Sequence, residues 1–278
     1  MPQNSNLPYT NRMIERFLSF IKTQHLFLHE PVLLAVSGGV DSVVMCHLFH
    51  QSKLKFAIAH INFQLRAHDS FEDEAFVADL GKQLDVPCFI TRFNTAGYAA
   101  EKKISIQMAA RELRYAWLEE IKKENGFHFI ATAHHQNDSI ETVLLNIFRG
   151  TGIHGLHGIK PKQGKIIRPL LPFYKKEIET FAAAQGITFR QDHSNFETDY
   201  DRNKIRLEII PLIEKFYPAF LHSFSENIEK WTDAGWLYEQ EVILLKKRIM
   251  EQRGAEIFIS IPRLTQIPAY PTLLYEVL

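Results

Sequence analysis

The sequence contains little cysteine and no long apolar segment. Only Cys46 and Cys88 occur among its 278 residues, and they lie far apart. A disulfide framework or a cysteine-based metal site is therefore not expected, and a reducing, cytoplasmic location is predicted. No apolar run approaches ~18 residues, so we expect no membrane-spanning helix. The first residues also lack the basic start and apolar stretch of a secretory signal.

The sequence has no excess of either charge. Lysine and arginine total 32, as do aspartate and glutamate, so the net charge indicates no polyanionic partner. One stretch differs, because residues 160–176 hold six basic side chains and no acidic one: Lys160, Lys162, Lys165, Arg168, Lys175 and Lys176. Either a nucleic-acid contact or an ordinary solvated loop explains such a stretch.

Short apolar segments alternate with amphipathic ones through the first half of the chain. Strands are predicted at residues 32–36, 56–61, 88–93 and 127–133, and helices at 9–27, 41–51, 70–84, 105–125 and 137–148. This alternation predicts an α/β fold with a doubly wound parallel sheet that helices cover on both faces. Ligands of such sheets bind beyond the carboxyl ends of the strands, which directs attention to residues 37–42, 60–66 and 134–141.

The pattern changes after residue 150. Five glycines between residues 150 and 164 accompany basic residues and Pro161, and this composition predicts a mobile loop. A helix is predicted at residues 175–185, and the chain from residue 203 onward is predicted to be mostly helical, with breaks at Pro211 and Pro218. We therefore predict a first domain at residues 1–210 and a smaller helical domain at 211–278. The final apolar residues resemble the start of a further helix, so we expect the chain to be a fragment of a longer protein.

The segment Ser-Gly-Gly-Val-Asp-Ser at residues 37–42 is predicted to bind phosphate. Adjacent Gly38 and Gly39 let backbone N–H groups converge on an anion, and the start of the following helix adds unpaired N–H groups. The segment is not a Walker A loop, and it lacks the third glycine of the dinucleotide fingerprint. Asp41 would repel phosphates unless a divalent cation lay between them, so it implies Mg²⁺. The alternative is a plain turn with Asp41 as a helix cap.

This segment resembles the pyrophosphate-binding loop of the N-type ATP pyrophosphatases. Those enzymes cleave ATP between its α and β phosphates and transfer AMP to a substrate. The resemblance implies ATP and Mg²⁺ as cofactors, and it assigns ATP binding to Ser37, Gly38, Gly39, Val40, Asp41 and Ser42.

Four further stretches resemble motifs of the tRNA(Ile)-lysidine synthase family. They are His-x-Asn-x-x-Leu-Arg at 60–66, Ala-Ala-Arg-x-x-Arg-Tyr at 109–115, Ala-His-His-x-x-Asp-x-x-Glu-Thr at 133–142, and Asp-x-Ser-Asn at 192–195 with Arg-Asn-x-x-Arg at 202–206. In that family ATP adenylates the oxygen at carbon 2 of the wobble cytidine of an isoleucine tRNA with a CAU anticodon. The ε-amine of free L-lysine then displaces AMP. The sequence departs from the family pattern at Asn137, where aspartate is more common, and at Ser139, where glutamine is frequent.

The resemblance implies roles for the acidic side chains. Asp138 and Glu141 lie three residues apart on one helix face, where they could bind lysine ammonium groups or Mg²⁺, or help deprotonate the attacking amine. Stabilisation of the helix dipole is the alternative. We predict Asp41 and Asp138 as metal ligands, and the catalytic residues as Asp41, Arg111, Asp138 and Glu141.

The resemblance also implies roles for basic side chains. Arg111 suits the charge that grows at the α-phosphate, unless it pairs with Glu119 or Glu120 on its own helix. His60 is predicted to contact the nucleotide, with a structural histidine as the alternative. The predicted ligands of lysine or tRNA are Asp138, Glu141, Arg114, Arg202, Arg206, Lys162, Lys165 and Arg168. Structural ion pairing is the alternative for Arg202 and Arg206.

Other function classes stay open at this point. A tRNA thiolase of the same superfamily generally needs catalytic or cluster-binding cysteines, and the sequence has no Cys-x-x-Cys. A synthetase that forms amides on a small metabolite is a second alternative. A non-enzymatic tRNA-binding module is disfavoured, because carboxylates at the predicted site would repel RNA. The sequence does not decide whether the protein forms a homodimer.

Overall fold

The central feature of the fold is a six-stranded sheet. The computed structural model describes residues 9–65, 67–190 and 200–277. The strand order is β3-β2-β1-β4-β6-β5, with β1 Val32–Ala35, β2 Phe56–Asn62, β3 Cys88–Arg92, β4 Phe129–Ala131, β5 Lys162–Gln163 and β6 Ile166–Ile167. Neighbouring strands run parallel except β5 and β6. The prediction of a doubly wound parallel sheet is confirmed.

Helices connect the strands and cover the sheet. They are α1 Tyr9–Thr23, α2 Val40–Gln51, α3 Ala67–Gln83, α4 Thr95–Lys102, α5 Ile106–Glu124, α6 Gln136–Arg149 and α7 Lys175–Ala184. The predicted helices are confirmed with shifts of a few residues at their ends. The sequence patterns did not predict α4, whose first turn is capped by the Asn94 side chain accepting a hydrogen bond from the Gly97 N–H at 3.0 Å.

Successive strand residues pack on opposite faces of the sheet. Val32 and Leu34 of β1 belong to a core with α1, α2, α3 and α7, while Leu33 lies in a second core with Trp117 and Leu118 of α5. All three β1 residues have no exposed surface. Burial on both faces explains why the strand reads as a continuous apolar run.

The segment at residues 150–164, predicted as a mobile loop, ends in strand β5 and so extends the sheet. A 3₁₀ turn covers Ile153–Leu156, and a hairpin turns at Gly164, which has a φ of 59°. Strand β6 pairs in parallel with β4 through Ile130 and Ile166. The sequence did not predict β5 or β6, because a two-residue strand is too short to show a periodic pattern. The mobility of residues 150–164 stays a prediction.

The residues after 199 are mostly helical. The elements are α8 Tyr200–Lys204, a π-helical turn Ile205–Ile209, α9 Ile210–Phe216, α10 Phe220–Ile249, a hairpin of β7 Met250–Arg253 and β8 Glu256–Ile259, α11 Ile261–Leu264 and α12 Tyr270–Val277. Pro218 lies in a break, as predicted. Pro211 does not, because it occupies the first turn of α9 directly after the π turn. Proline lacks an N–H, and the wider π turn lets the helix continue without that hydrogen bond.

Helix α10 packs on the part of the chain that forms the sheet, through α6. Ile228 of α10 shares a core with Ile140 and Val143 of α6 and with Ile205 and Ile210. The predicted boundary at residues 210/211 falls inside α9, and it stays a prediction. In the parts of the chain that the structure covers, no helix is long and apolar enough to cross a bilayer.

Candidate active site

The order of the strands creates a crevice between β1 and β4. The chain passes from β1 outward to β2 and β3 and then returns to β4 on the other side of β1. Loops after β1 and β4 therefore diverge, and ligands of open α/β sheets bind at such a switch point. A cavity of about 670 Å³ lies there, and both the 37–42 segment and the start of α6 line it.

The 37–42 loop is held in shape by one serine. The Ser42 Oγ accepts hydrogen bonds from the backbone N–H groups of Ser37 at 3.2 Å and Gly38 at 3.3 Å, and it donates to the Gly39 carbonyl at 2.9 Å. Gly38 has a φ of 98°, a conformation that a side chain would strain. Val40 begins α2, so the loop leads directly into a helix N-terminus that favours anions.

His60 supports this loop from below. Its Nδ1 lies 2.8 Å from the carbonyl oxygen of Val36, and the residue is only 4% exposed. Burial lowers the pKa of His60, so the imidazole is neutral at pH 7. His60 is not among the residues that line the cavity, and its contact with the nucleotide stays a prediction.

Asp41 carries an ion pair inside the cavity. The Lys175 Nζ lies 2.8 Å from both carboxylate oxygens of Asp41. The His135 Nε2 lies 3.9 Å from Asp41, and its Nδ1 lies 3.6 Å from Asp138, so the imidazole stands between the two carboxylates. Sequence reasoning missed Lys175 as a site residue, since its membership of the basic stretch was the only signal.

A second network joins α6 to α8 and the π turn. The Arg206 Nε and Nη2 donate to Glu141 at 2.7 and 2.8 Å, and Nη2 also donates to Asp138 at 3.1 Å. The Arg202 Nε donates to Glu141 at 3.0 Å. The structure thus brings together four residues that were predicted to share a site. The Glu141 side chain is 1% exposed and that of Asp138 is 14% exposed.

Asp138 is ionised in this setting. Burial acts to raise its pKa, but the nearby His135, His134 and Arg202 together outweigh burial, and the pKa falls below its usual value. One Asp138 oxygen accepts the backbone N–H of His135 at 2.9 Å, and the other faces Arg206. Asp138 therefore supplies a fixed negative charge to the cavity.

Burial also shifts the pKa of His134. It lowers the pKa of His134 to about 4, and the Nδ1 lies 2.9 Å from the Thr132 hydroxyl. His134 lines the cavity as a neutral group at pH 7.

The two departures from the family motif have structural partners. The Asn137 Oδ1 accepts the backbone N–H of Lys175 at 2.9 Å and thereby links α6 to α7. The Ser139 Oγ accepts the N–H of Ile159 at 3.0 Å. A side chain at Gly158, which has a φ of 63°, would place its Cβ 2.2 Å from this hydroxyl. The small residues thus let the 150–159 segment close onto α6.

The two predicted arginines of α5 differ in position. Arg114 lines the cavity, with its guanidinium carbon 5.4 Å from the centre of the Phe63 ring. Arg111 is exposed and lies over Tyr115 at 5.1 Å. Glu119, the predicted alternative partner, instead pairs with Lys122. The position of Arg114 suits a role at the phosphates better than that of Arg111 does.

The basic stretch lies largely away from the cavity. The Lys162 Nζ donates to two backbone carbonyls of residues 25 and 26 at 3.0 Å each, and the ammonium groups of Lys162 and Lys165 lie over the Phe129 ring at 4.5 and 5.3 Å. Phe129 begins β4, so these ammonium groups lie toward the end of the strand opposite the cavity. Arg168 is 8% exposed and donates to the Lys160 carbonyl. Lys162, Lys165 and Arg168 thus lie outside the cavity, and their contact with tRNA stays a prediction.

Two parts of the predicted motifs fall outside the described residues. They are Arg66 and the Asp-x-Ser-Asn segment at 192–195. Their contributions stay predictions.

The fold and the loop at the β1–β4 crevice define a PP-loop nucleotide-binding protein. The family model described as "PP-loop domain" matches residues 9–213. Among solved structures, the U34-tRNA thiolase NcsA from Methanococcus maripaludis is similar with a TM-score of 0.64 and 16% identity, over 80% of this chain and 79% of that one. At that identity the likeness confirms the fold alone.

Sequence relatives narrow the class. The tRNA(Ile)-lysidine synthase of Bacteroides thetaiotaomicron is 43% identical over 95% of this chain and 61% of its own length. That of Chlorobaculum tepidum is 39% identical over 87% of this chain and 73% of its own length. The chain belongs to the tRNA(Ile)-lysidine synthase family. It spans about 60% of the length of the first curated relatives that it matches.

Proposed function

We propose that this chain attaches lysine to carbon 2 of the wobble cytidine of an isoleucine tRNA with a CAU anticodon, at the expense of ATP. The observation that carries the proposal is that one cavity holds both a phosphate-binding loop and the network of Asp138, Glu141 and Arg206. An enzyme that adenylates a base and then adds an amine needs both sites within reach of one reacting atom. The names of the relatives support the same reaction.

The 37–42 loop and the N-terminus of α2 are proposed to hold the ATP phosphates. Asp41, one residue into α2, fits a Mg²⁺ ion, because Mg²⁺ in such sites takes one or two carboxylates and completes its shell with phosphate and water. Among the residues that the structure describes, no three acidic, histidine or cysteine side chains cluster as a metal site. The bound ion would neutralise phosphate charge. Asp138, the second predicted ligand, fits less well, because its oxygens are held by a backbone N–H and by a guanidinium group that Glu141 also fixes. Its remaining lone pairs can still accept a further hydrogen bond.

The two carboxylates of α6 are proposed to act differently. Glu141 is almost fully buried and binds two guanidinium groups, so it holds Arg202 and Arg206 in place. Asp138 is more accessible and has one weaker contact to Arg206, so we infer that it receives an ammonium group of lysine. Arg114 faces the same cavity and suits the charge that grows at the α-phosphate.

The cysteines do not favour the thiolase alternative. Burial raises the pKa of Cys46, which is fully buried, and it raises the pKa of Cys88 to about 11. Neither thiol becomes a nucleophilic thiolate near pH 7. A cytoplasmic location and a homodimer remain predictions.

The test is an omission experiment. The protein is incubated with ATP, radiolabelled lysine and a transcript of the isoleucine tRNA, and each component is left out in turn. We expect label on the tRNA only when all three are present, with AMP and pyrophosphate as products. A transcript with uridine at the wobble position is the matched control and should take up no label. ATP cleavage that needs no tRNA would instead support the small-metabolite synthetase.

Asp41→Asn tests the metal assignment. Removing the charge while keeping the shape should nearly abolish ATP–pyrophosphate exchange without changing the circular dichroism spectrum. Asp79→Asn on α3 is a suitable control, since Asp79 pairs with Lys82 on the surface. Exchange at the wild-type rate in Asp41→Asn would remove this carboxylate from the mechanism.

A further inference from the structure

Lys175 is a cation of the cavity that the family motifs quoted above do not include. Its ammonium group lies 2.8 Å from each oxygen of Asp41, the residue that is proposed to bind Mg²⁺. We propose that the Lys175 ammonium group pairs with Asp41 when neither metal nor nucleotide is bound, and that it moves to the ATP phosphates when Mg²⁺ binds Asp41. This inference rests on the proposed use of ATP.

The backbone of Lys175 is fixed while its side chain has room to move. Its N–H donates to Asn137 at 2.9 Å, and the neighbouring Tyr174 hydroxyl lies 2.8 Å from the Ser225 hydroxyl of α10. The Tyr174 N–H donates to Glu177 at 2.9 Å, which closes the first turn of α7. The Lys175 side chain remains 34% exposed and lines the cavity. A four-carbon stem on a fixed backbone can move its charge by several ångströms.

Electrostatics require such a move. A divalent cation bound to Asp41 and an ammonium group 2.8 Å from the same oxygens would repel each other strongly. The phosphates that arrive with the metal offer Lys175 a new anionic partner. Each charge thus exchanges one partner for another, and none is left unpaired in the cavity.

A purely structural ion pair is the competing explanation. Both side chains are about one-third exposed, so such a pair contributes little to folding. If the pair is only structural, Lys175→Met should change stability slightly and should not move the metal and nucleotide affinities in opposite directions. The proposed exchange of partners predicts that metal affinity rises while nucleotide affinity falls.

The experiment measures binding by titration calorimetry in the wild type and in Lys175→Met. Mn²⁺ alone is the probe for the metal site, and Mg²⁺ with a non-hydrolysable ATP analogue is the probe for the nucleotide site. Mn²⁺ should bind several-fold more tightly to Lys175→Met, since its competitor is gone. The Mg²⁺–nucleotide complex should bind about tenfold more weakly, since one charge-assisted hydrogen bond is lost. Lys176→Met, at the exposed neighbouring position, is the matched control and should change neither affinity.

A second comparison separates direct from indirect action. In an Asp41→Asn background, Lys175→Met should still weaken nucleotide binding if the ammonium group touches phosphate. If Lys175 acts only through Asp41, the second substitution will have no further effect, and the inference fails. Parallel losses of Mn²⁺ and nucleotide affinity in Lys175→Met would also overturn it.

Two controls keep the outcome interpretable. Lys175→Gln repeats the loss of charge with a polar side chain, in case the methionine variant does not fold. Failure of the wild type to bind the Mg²⁺–nucleotide complex would count against the proposed function itself. Normal wild-type binding with an unaltered Lys175→Met would count against this inference alone.

Discussion

The buried Glu141 carboxylate offers a sharp test of how the site is held together. It accepts three hydrogen bonds from Arg202 and Arg206 at 2.7 to 3.0 Å and is 1% exposed. Glu141→Gln keeps the size of the side chain but leaves two guanidinium groups against a neutral amide. Breaking a buried ion pair from one side costs about 3–5 kcal/mol. The arginines are 29% and 32% exposed and can recover some hydration, so we expect about 3 kcal/mol.

The assay is urea unfolding followed by circular dichroism, with a surface pair as control. Arg149 and Asp201 lie 2.7 Å apart, as close as the tightest contact of Glu141, but their side chains are 61% and 57% exposed. Asp201→Asn should therefore cost less than about 1 kcal/mol. If Glu141→Gln costs no more than this control, burial does not strengthen the network, and the structural role given to Glu141 is wrong.

Three further outcomes are expected. Gly158→Ala should lower the free energy of unfolding by at least about 2 kcal/mol, because its Cβ would lie 2.2 Å from the Ser139 hydroxyl. Adding Ser139→Gly to this variant should restore part of the loss, and an unchanged urea midpoint in Gly158→Ala would contradict the packing. Gly38→Ala should weaken ATP binding about tenfold in calorimetry with the fold intact, since a φ of 98° costs a side chain roughly 1–2 kcal/mol; equal affinity would show that the loop tolerates a side chain. The pKa of His134 is about 4 in the folded state and near 6.5 ordinarily, so the unfolded chain binds the proton more readily and stability falls as the pH drops between these values. The loss should reach roughly 2 kcal/mol at pH 5 and should be absent from His134→Asn. Identical dependence of the urea midpoint on pH in both proteins would refute this.

Local patterns were enough to predict most of the sheet. Strands β1 and β2 are apolar runs next to glycine or polar turns, and buried parallel strands show this pattern without any tertiary information. Strand β6 consists of Ile166 and Ile167 alone, and its identity as a strand depends on its pairing with β4. The predicted helix break at Pro211 was wrong, because the π turn before it lets the helix continue past a residue that lacks an N–H.

The 37–42 loop was also predictable, because its backbone shape depends on residues close together in the chain. Gly38, Gly39 and the following helix lie within a few residues of one another. The network of Asp138, Glu141, Arg202 and Arg206 was predictable only as a set of residues that share motifs. Arg206 contacts both Asp138 and Glu141, although it lies 65 positions from Glu141 in the chain. These contacts depend on how α8 and the π turn pack against α6.

The sequence by itself determined the strand, the Ser-Gly-Gly-Val-Asp-Ser loop and the helix at residues 32–51, and the family to which the chain belongs, since both depend on residues close together in the chain. Only the tertiary structure decided that Lys175 pairs with Asp41 and that the His60 imidazole contacts the Val36 carbonyl oxygen. It also decided that the ammonium groups of Lys162 and Lys165 lie away from the cavity. The physical reason is that a charge acts over a few ångströms of space. The residues within that distance are chosen by the packing of distant segments.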